Sequence, residues 1–194
     1  MIFCPTPVAA AFAIDLERHA DRRGFFARTL CAREFASAGL DANFVQGSVS
    51  HNDRRGTLRG LHFQWPPSRE NKLVSCGRGS VFDVIVDLRP DSPSYLGHFG
   101  VVLSDENRRA LYIPCGCAHG FLTLADHVEV NYLMTDFYRP EAADGVRWND
   151  PQFAITWPEP VVEIIERDAH YPDFDEPSHR ARFTAAARGA GGER

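Results

Sequence analysis

The residues best equipped for chemistry cluster between Gly56 and Asp87, GTLRGLHFQWPPSRENKLVSCGRGSVFDVIVD, where His62 and Lys72 sit among short apolar runs broken by Gly and Pro. A neutral imidazole titrates near neutrality and is suited to removing a carbon-bound proton, a role typically worth about 10²- to 10⁴-fold. An ammonium group can then stabilise the enolate oxygen that results, and one such fixed donor typically lowers a barrier by roughly 3 kcal/mol. The same residue types have quieter uses. A histidine on an apolar strand is often a hydrogen-bonded structural residue, and a lysine at a strand edge guards it against aggregation.

These side chains need strands to hold them. Leu58 to Gln64 reads as one, and Phe82, Val84, Val86 and Leu88 alternate with Asp83, Ile85 and Asp87 as a second should. From Asn43 to Tyr138 the pattern continues through Phe44 to Ser50, Thr57 to Gln64, Leu73 to Gly77, Ser80 to Leu88, Phe99 to Leu103, Ala110 to Ile113, Gly120 to Leu124 and Glu129 to Thr135. Turn signals recur between these runs, and no long helix separates them, so an antiparallel all-β jelly roll or barrel is expected. Ala32 to Ala38, stopped by Gly39, is a short accessory helix, and Val161 to Ala169 returns as a short helix or strand. Two strand-like runs flank Asp21-Arg22-Arg23-Gly24. In a regular strand Arg59 and His62 point to opposite faces, so both can line one cavity only if Gly60 marks a bulge or a twist, which a glycine permits.

The 194 residues, 44% hydrophobic, suit one substantial core and a single domain over residues 1–177. Residues 178–194 are Ala-, Gly- and Arg-rich and are expected to be an unstructured tail. A net charge of −5 argues against general nucleic-acid or membrane-surface binding and leaves a small molecule as the expected partner. The five cysteines, Cys4, Cys31, Cys76, Cys115 and Cys117, include no C-x-x-C pair and read as reduced thiols in a cytoplasm. Cys115-x-Cys117-x-His119 lacks a partner pair and reads as buried small residues rather than a metal site.

The string GTLRGLHFQ, NKLVSCGRGSVFDVIVDLR, SPSYLGHFG, LSDENRRALYIPCGCAHGFLTL and VEVNYLMTDFYRPEAADGVRWNDP, in order over about residues 20 to 170, resembles the dTDP-4-dehydrorhamnose 3,5-epimerase family of nucleotide-sugar enzymes. The resemblance implies a cupin-type jelly roll, or double-stranded β-helix. It also implies a homodimer whose N-terminal strands meet the partner subunit. The implied reaction inverts C3, C5 or both of a nucleotide-linked 4-keto-6-deoxy sugar through enolates, without metal or redox cofactor. It assigns His62 as base, Lys72 as the oxyanion's cation, Tyr132 as the acid on the opposite face and Asp168 as the carboxylate behind the imidazole. Arg23, Gln46, Arg59, His119 and Tyr138 fall on the family's substrate-binding positions, where arginine suits a diphosphate and an aromatic ring suits a base.

Four positions depart from the family pattern: Arg28 replaces a Glu, Ser48 stands in a Q-x-N-x-S motif's Asn position, Ser75 replaces an Arg and Leu133 a Lys. The Glu-to-Arg exchange reverses a charge near the expected nucleotide edge and bears on which nucleotide and sugar are taken. Two other readings compete. Pro114-x-Gly116-x-x-His119 resembles the second motif of metal-dependent cupins, although His62-Phe63-Gln64 offers one histidine where the first motif wants two. A non-catalytic sugar-binding cupin would need the pocket but not the proton relay.

Overall fold

The computed structural model describes residues 1–189. Its elements in chain order are β1 (Ile2–Pro5), β2 (Phe12–Asp15), β3 (His19–Asp21), β4 (Gly24–Phe26), α1 (Ala32–Ser37), β5 (Gln46–Asn52), β6 (Leu58–Gln64), β7 (Lys72–Arg78), β8 (Ser80–Asp87), β9 (His98–Ser104), β10 (Ala110–Ile113), β11 (Cys117–Thr123), β12 (Val128–Met134), β13 (Ala143–Gly145), α2 (Glu166–Ala169) and α3 (Glu176–Gly189). A six-stranded sheet runs β1-β2-β10-β7-β12-β5 and a five-stranded sheet runs β13-β6-β11-β8-β9, while β3 and β4 form a separate hairpin. Every pairing between these strands is antiparallel.

The two large sheets share one core, with Val74, Leu111, Ile113 and Val130 contributed by the first and Val81, Ile85, Leu103 and Phe121 by the second. The second sheet is apolar on its other face too. There Leu61, Phe63, Val84, Val86 and Ala118 are covered by Trp65, Val146, Phe153, Phe174 and Phe183. That double burial explains why β8 reads as a nearly continuous apolar run. α1 buries Phe35 on the outer face of the six-stranded sheet, edge-on to Phe3, Phe44 and Tyr112.

The C-terminal region differs from the expectation. Residues 176–189 form α3 rather than an unstructured tail, because the composition hides an aromatic anchor. The His179 ring is buried among Trp65, Phe174 and Phe183, and its Nε2–H donates to the Leu88 carbonyl at 2.7 Å. Burial holds its imidazole below the ordinary histidine pKa, so it stays neutral. The expected tail also includes residues 190–194, which lie outside the described residues.

Candidate active site

β6 carries the first half of the site, and its geometry turns on Gly60. Against β11, His62 pairs with His119 and Arg59 with Phe121, so three steps on β6 match two on β11. Of the bulge or twist that the Arg59/His62 parity allows, this is a bulge. Gly60 adopts φ +116°, and a Cβ there would come within 2.6 Å of the Gly120 Cα and 2.7 Å of the His119 carbonyl oxygen, so only glycine fits. The extra residue rotates Arg59 onto the face of His62, and both line one cavity of about 320 Å³ with Lys72, His119, Tyr132 and Asp168.

Asp168 arrives from far along the chain. Residues 160–165 lie beside the start of β6, where the Leu58 N–H donates to the Glu163 carbonyl at 2.8 Å, and this contact sets α2 over the bulge. Asp168 is 1% exposed. Its Oδ1 accepts from His62 Nε2 at 2.8 Å and its Oδ2 from the Gly60 N–H at 2.9 Å. Burial alone would raise its carboxyl pKa, but the hydrogen bonds from His62 and Gly60 and the Arg167 guanidinium bring it below the ordinary value. We assign the proton of neutral His62 to Nε2 from this carboxylate, which leaves Nδ1 free to accept one. Arg167 also lies 3.0 Å from Nε2 and 3.2 Å from Asp168 Oδ1. A nitrogen already donating to Asp168 cannot also accept from Arg167, so the Arg167–Asp168 attraction holds that guanidinium in place.

A second histidine–carboxylate pair lies beside the first. His119 Nε2 is 2.8 Å from Asp83 Oδ1, both side chains are buried, and Asp83 Oδ2 has no hydrogen-bond partner among the described residues. Burial raises the Asp83 carboxyl against the opposing influence of His119. The Tyr132 ring meets the His119 ring edge-on at 5.8 Å. Its hydroxyl makes no hydrogen bond to the described residues, and burial, reinforced by the charge of Asp83, raises its pKa far above the ordinary phenol value. Tyr132 therefore stays protonated across the neutral range.

Lys72 Nζ is 2.9 Å from Glu70 Oε2, with the two side chains only 14% and 10% exposed. With His62 and Arg167 they also line an adjoining lobe of about 300 Å³ whose walls include Tyr138, Asp144 and Tyr171. Arg59 Nε donates to Asn52 Oδ1 at 2.7 Å, which aims the guanidinium along the cavity wall. Gln46 plays a supporting part: its Oε1 accepts from the Tyr138 N–H at 2.7 Å, fixing the backbone of the exposed Tyr138.

Thus His62, Lys72, Arg59, His119, Tyr132 and Asp168 converge on one cavity and Tyr138 on the lobe beside it. Gln46 lines neither lobe, and Arg23 does not join them either. It lies on the exposed β3–β4 turn, bonded to Asp21 at 2.6 Å, and lines neither lobe. The reading of the sequence passed over Glu70, Asn52, Asp83 as the partner of His119, and Arg167. Of these only Asp83 carried a signal, as a carboxylate in the alternating pattern of β8. Among the departures, Arg28 is paired with Glu34 at 2.8 Å, which offsets the reversed charge locally. Cys115, Cys117 and His119 form no ligand group. Among the described residues the metal-ligand geometry is met by His51, Asp53 and His127.

Comparison with known proteins adds the context. The profile of the dTDP-4-dehydrorhamnose 3,5-epimerase family matches residues 5–176. The dTDP-4-dehydrorhamnose 3,5-epimerase of Methanothermobacter thermautotrophicus is 44% identical over 177 residues, covering 90% of this chain and 95% of the relative. The crystal structure of dTDP-4-dehydrorhamnose 3,5-epimerase from Elizabethkingia anophelis superposes with a TM-score of 0.86 at 36% identity, over 90% of this chain and 96% of that one. That of the dTDP-6-deoxy-D-glucose-3,5-epimerase from Legionella pneumophila, solved in complex with dTDP-4-keto-L-rhamnose, gives 0.80 at 38% identity, over 87% and 89%. The expected all-β cupin-type jelly roll is the fold observed.

Proposed function

From the premise that this chain belongs to the dTDP-4-dehydrorhamnose 3,5-epimerase family, we propose that its cavity takes a dTDP-linked 4-keto-6-deoxy sugar and inverts C3, C5 or both. The protein is an isomerase of deoxysugar biosynthesis. The observation that carries the residue assignment is the His62–Asp168 pair, held on Nε2 at 2.8 Å and lining a cavity with Tyr132 and Lys72. His62 Nδ1 takes the proton from a carbon next to the C4 ketone. The C–H electrons become the enolate double bond, and the carbonyl oxygen takes the negative charge beside Lys72. Asp168 stabilises the imidazolium without taking its proton. Tyr132 then donates its phenolic proton to the opposite face of that carbon, the carbonyl re-forms, and water returns both groups to their starting states.

Arg59 and Tyr138 are the residues for the diphosphate and base, with Gln46 holding Tyr138 and His119 facing the sugar. We assign Arg23 to the pocket of a second copy in a homodimer. All residues of β3 and β4 are exposed, Phe26 at 77%, so the hairpin offers an apolar, cationic tip to another surface. The five cysteines are all free thiols, in keeping with a reducing compartment such as the cytoplasm. Among the described residues no helix is long and apolar enough to cross a membrane. The test is incubation with several 4-keto-6-deoxy nucleotide sugars in D₂O, with deuterium read at C3 and C5 by NMR. Chelator-insensitive exchange at one or both carbons is expected. Exchange abolished by a chelator, or binding without exchange, would replace this reading with a metal-dependent or a non-catalytic one.

A further inference from the structure

We propose that His51, Asp53 and His127 form a binding site for a divalent transition-metal ion on the outer face of the six-stranded sheet, with Glu129 orienting His51. Two strands converge to build it. β5 and β12 are antiparallel partners in which His51 faces Glu129, and the ladder continues past the strand ends through the His127 N–H to the Asp53 carbonyl at 3.1 Å. Asp53 lies just past the end of β5 and His127 just before the start of β12, and the bond between them holds these ends together so that the four side chains meet on one surface.

The chemistry of the donors is selective. Two imidazoles and a carboxylate suit zinc, nickel, cobalt or copper, whereas magnesium and calcium prefer oxygen sets. One ligand atom from each of His51, Asp53 and His127 lies within 4.8 Å of the others. Tetrahedral zinc with bonds of about 2.0–2.1 Å needs its ligand atoms about 3.3 Å apart. His51 Nε2 and Asp53 Oδ1 already stand at 3.2 Å, and the two histidine rings are stacked with centroids 6.4 Å apart. Closing the group therefore needs only small rotations of exposed side chains, and water can complete the coordination. His51 Nδ1 lies 3.5 Å from Glu129 Oε1, so a small rotation brings that carboxylate within reach of its N–H and leaves Nε2 for the metal.

The site also touches the catalytic cavity through one residue. Asn52, next to His51, holds Arg59 through its Oδ1, and Arg59 Nη2 lies 3.4 Å from the His51 carbonyl. A metal that clamps the end of β5 to β12 thus fixes the segment from which Arg59 hangs.

Calorimetric titration of the full chain with Zn²⁺ is expected to give one site per chain. Affinity should fall at least tenfold in Asp53→Asn and in His127→Asn. Asparagine is chosen at 127 because the backbone there has φ 54°, a region asparagine tolerates. Co²⁺ should give visible d–d absorption without the thiolate charge-transfer band that binding to the five cysteines would produce. Without added metal, both variants should match the parent in melting temperature and epimerase turnover. The proposal is overturned if the parent binds no Zn²⁺, if both variants bind as tightly as the parent, or if the thiolate band shows the ion on cysteine.

Discussion

Two histidine–aspartate pairs stand side by side, His62 facing His119 across the β6–β11 ladder, and both have the same 2.8 Å contact. Their surroundings part them. His62 has 38% of its side chain exposed, and Asp168 behind it receives donors on both oxygens, so its carboxyl is held ionised. His119 is 5% exposed, and Asp83 behind it is wholly buried, with one oxygen unpartnered among the described residues and the carboxyl pKa raised. An open imidazole backed by a firm anion can take a proton and keep the resulting charge. A sealed imidazole backed by a carboxylate that resists ionisation is a fixed hydrogen-bonding wall, and here it supports the Tyr132 ring. Hydrogen-bond length alone thus says little about role; desolvation and the fate of the second carboxylate oxygen separate a base from a scaffold.

The largest expected effect tests this contrast directly. His62→Asn should lower deuterium exchange at the sugar by about 10²- to 10⁴-fold, with nucleotide-diphosphate affinity largely kept. His119→Asn should leave exchange within about tenfold and act mainly on KM, because it removes a wall contact worth about one hydrogen bond. Equal losses of exchange would mean that the two pairs share the catalytic role.

Tyr132→Phe comes next and asks whether the phenol that packs on the sealed pair is the acid. The ring and its edge-on contact with His119 are retained, so a change in rate reports the hydroxyl. Inversion should fall by roughly 10²-fold while deuterium continues to wash in with retention, since His62 is then the proton donor left beside the enolate. Inversion at the parental rate would reassign the second transfer to water or to another group.

Much of this arrangement was legible in the chain. Period-two alternation located β5 to β12, with Ala110–Ile113 read at the observed bounds, whereas the three-residue β13 is too short to show a period and was missed. The opposed parity of Arg59 and His62 called for a bulge or a twist at Gly60, and the structure has the bulge. What escaped were partners joined only by the tertiary fold. Nothing local tells that Asn52 will hold Arg59, that Asp83 will face His119 rather than a cation, or that Glu70 will pair with Lys72 two residues on. α3 escaped because its anchor is a histidine, a residue that composition counts as polar and that here is 6% exposed. Arg23 matched its motif, yet among the described residues the β3–β4 hairpin pairs with no other strand and Arg23 lines neither lobe of the cavity.

The carboxylates give the third and smaller contrast. Asp168→Asn keeps the shape but removes the charge that stabilises the imidazolium, and a hydrogen bond to a charged group is worth about 1.5–3 kcal/mol, so turnover should drop about 10- to 100-fold. Asp83→Asn should cost less than tenfold, because its carboxyl already resists ionisation and an amide oxygen can still accept from His119. A larger loss from Asp83→Asn than from Asp168→Asn would reverse the assignment of the two pairs.

The smallest effect is on stability, and it carries opposite signs at the two sites. Asp168 titrates below its ordinary value of 3.8 in the folded chain. Its contribution is therefore complete above that pH and is lost as pH falls through the lower folded value, where the native state must take up the proton. Asp83 titrates above 3.8 in the fold. It costs nothing while both states are protonated, and it destabilises as pH rises from 3.8 through its raised value, because ionisation in the sealed site is harder than in the unfolded chain. A tenfold difference in proton affinity between folded and unfolded chain is worth about 1.4 kcal/mol, and solvent reaching His62 reduces the figure for Asp168. Urea unfolding measured across the acid range should show that Asp168→Asn flattens the loss of stability below 3.8. Asp83→Asn should instead remove a decline that sets in above 3.8. If the two variants change the same limb of the profile in the same direction, the environments of the two pairs do not differ in the way their burial and hydrogen bonds require.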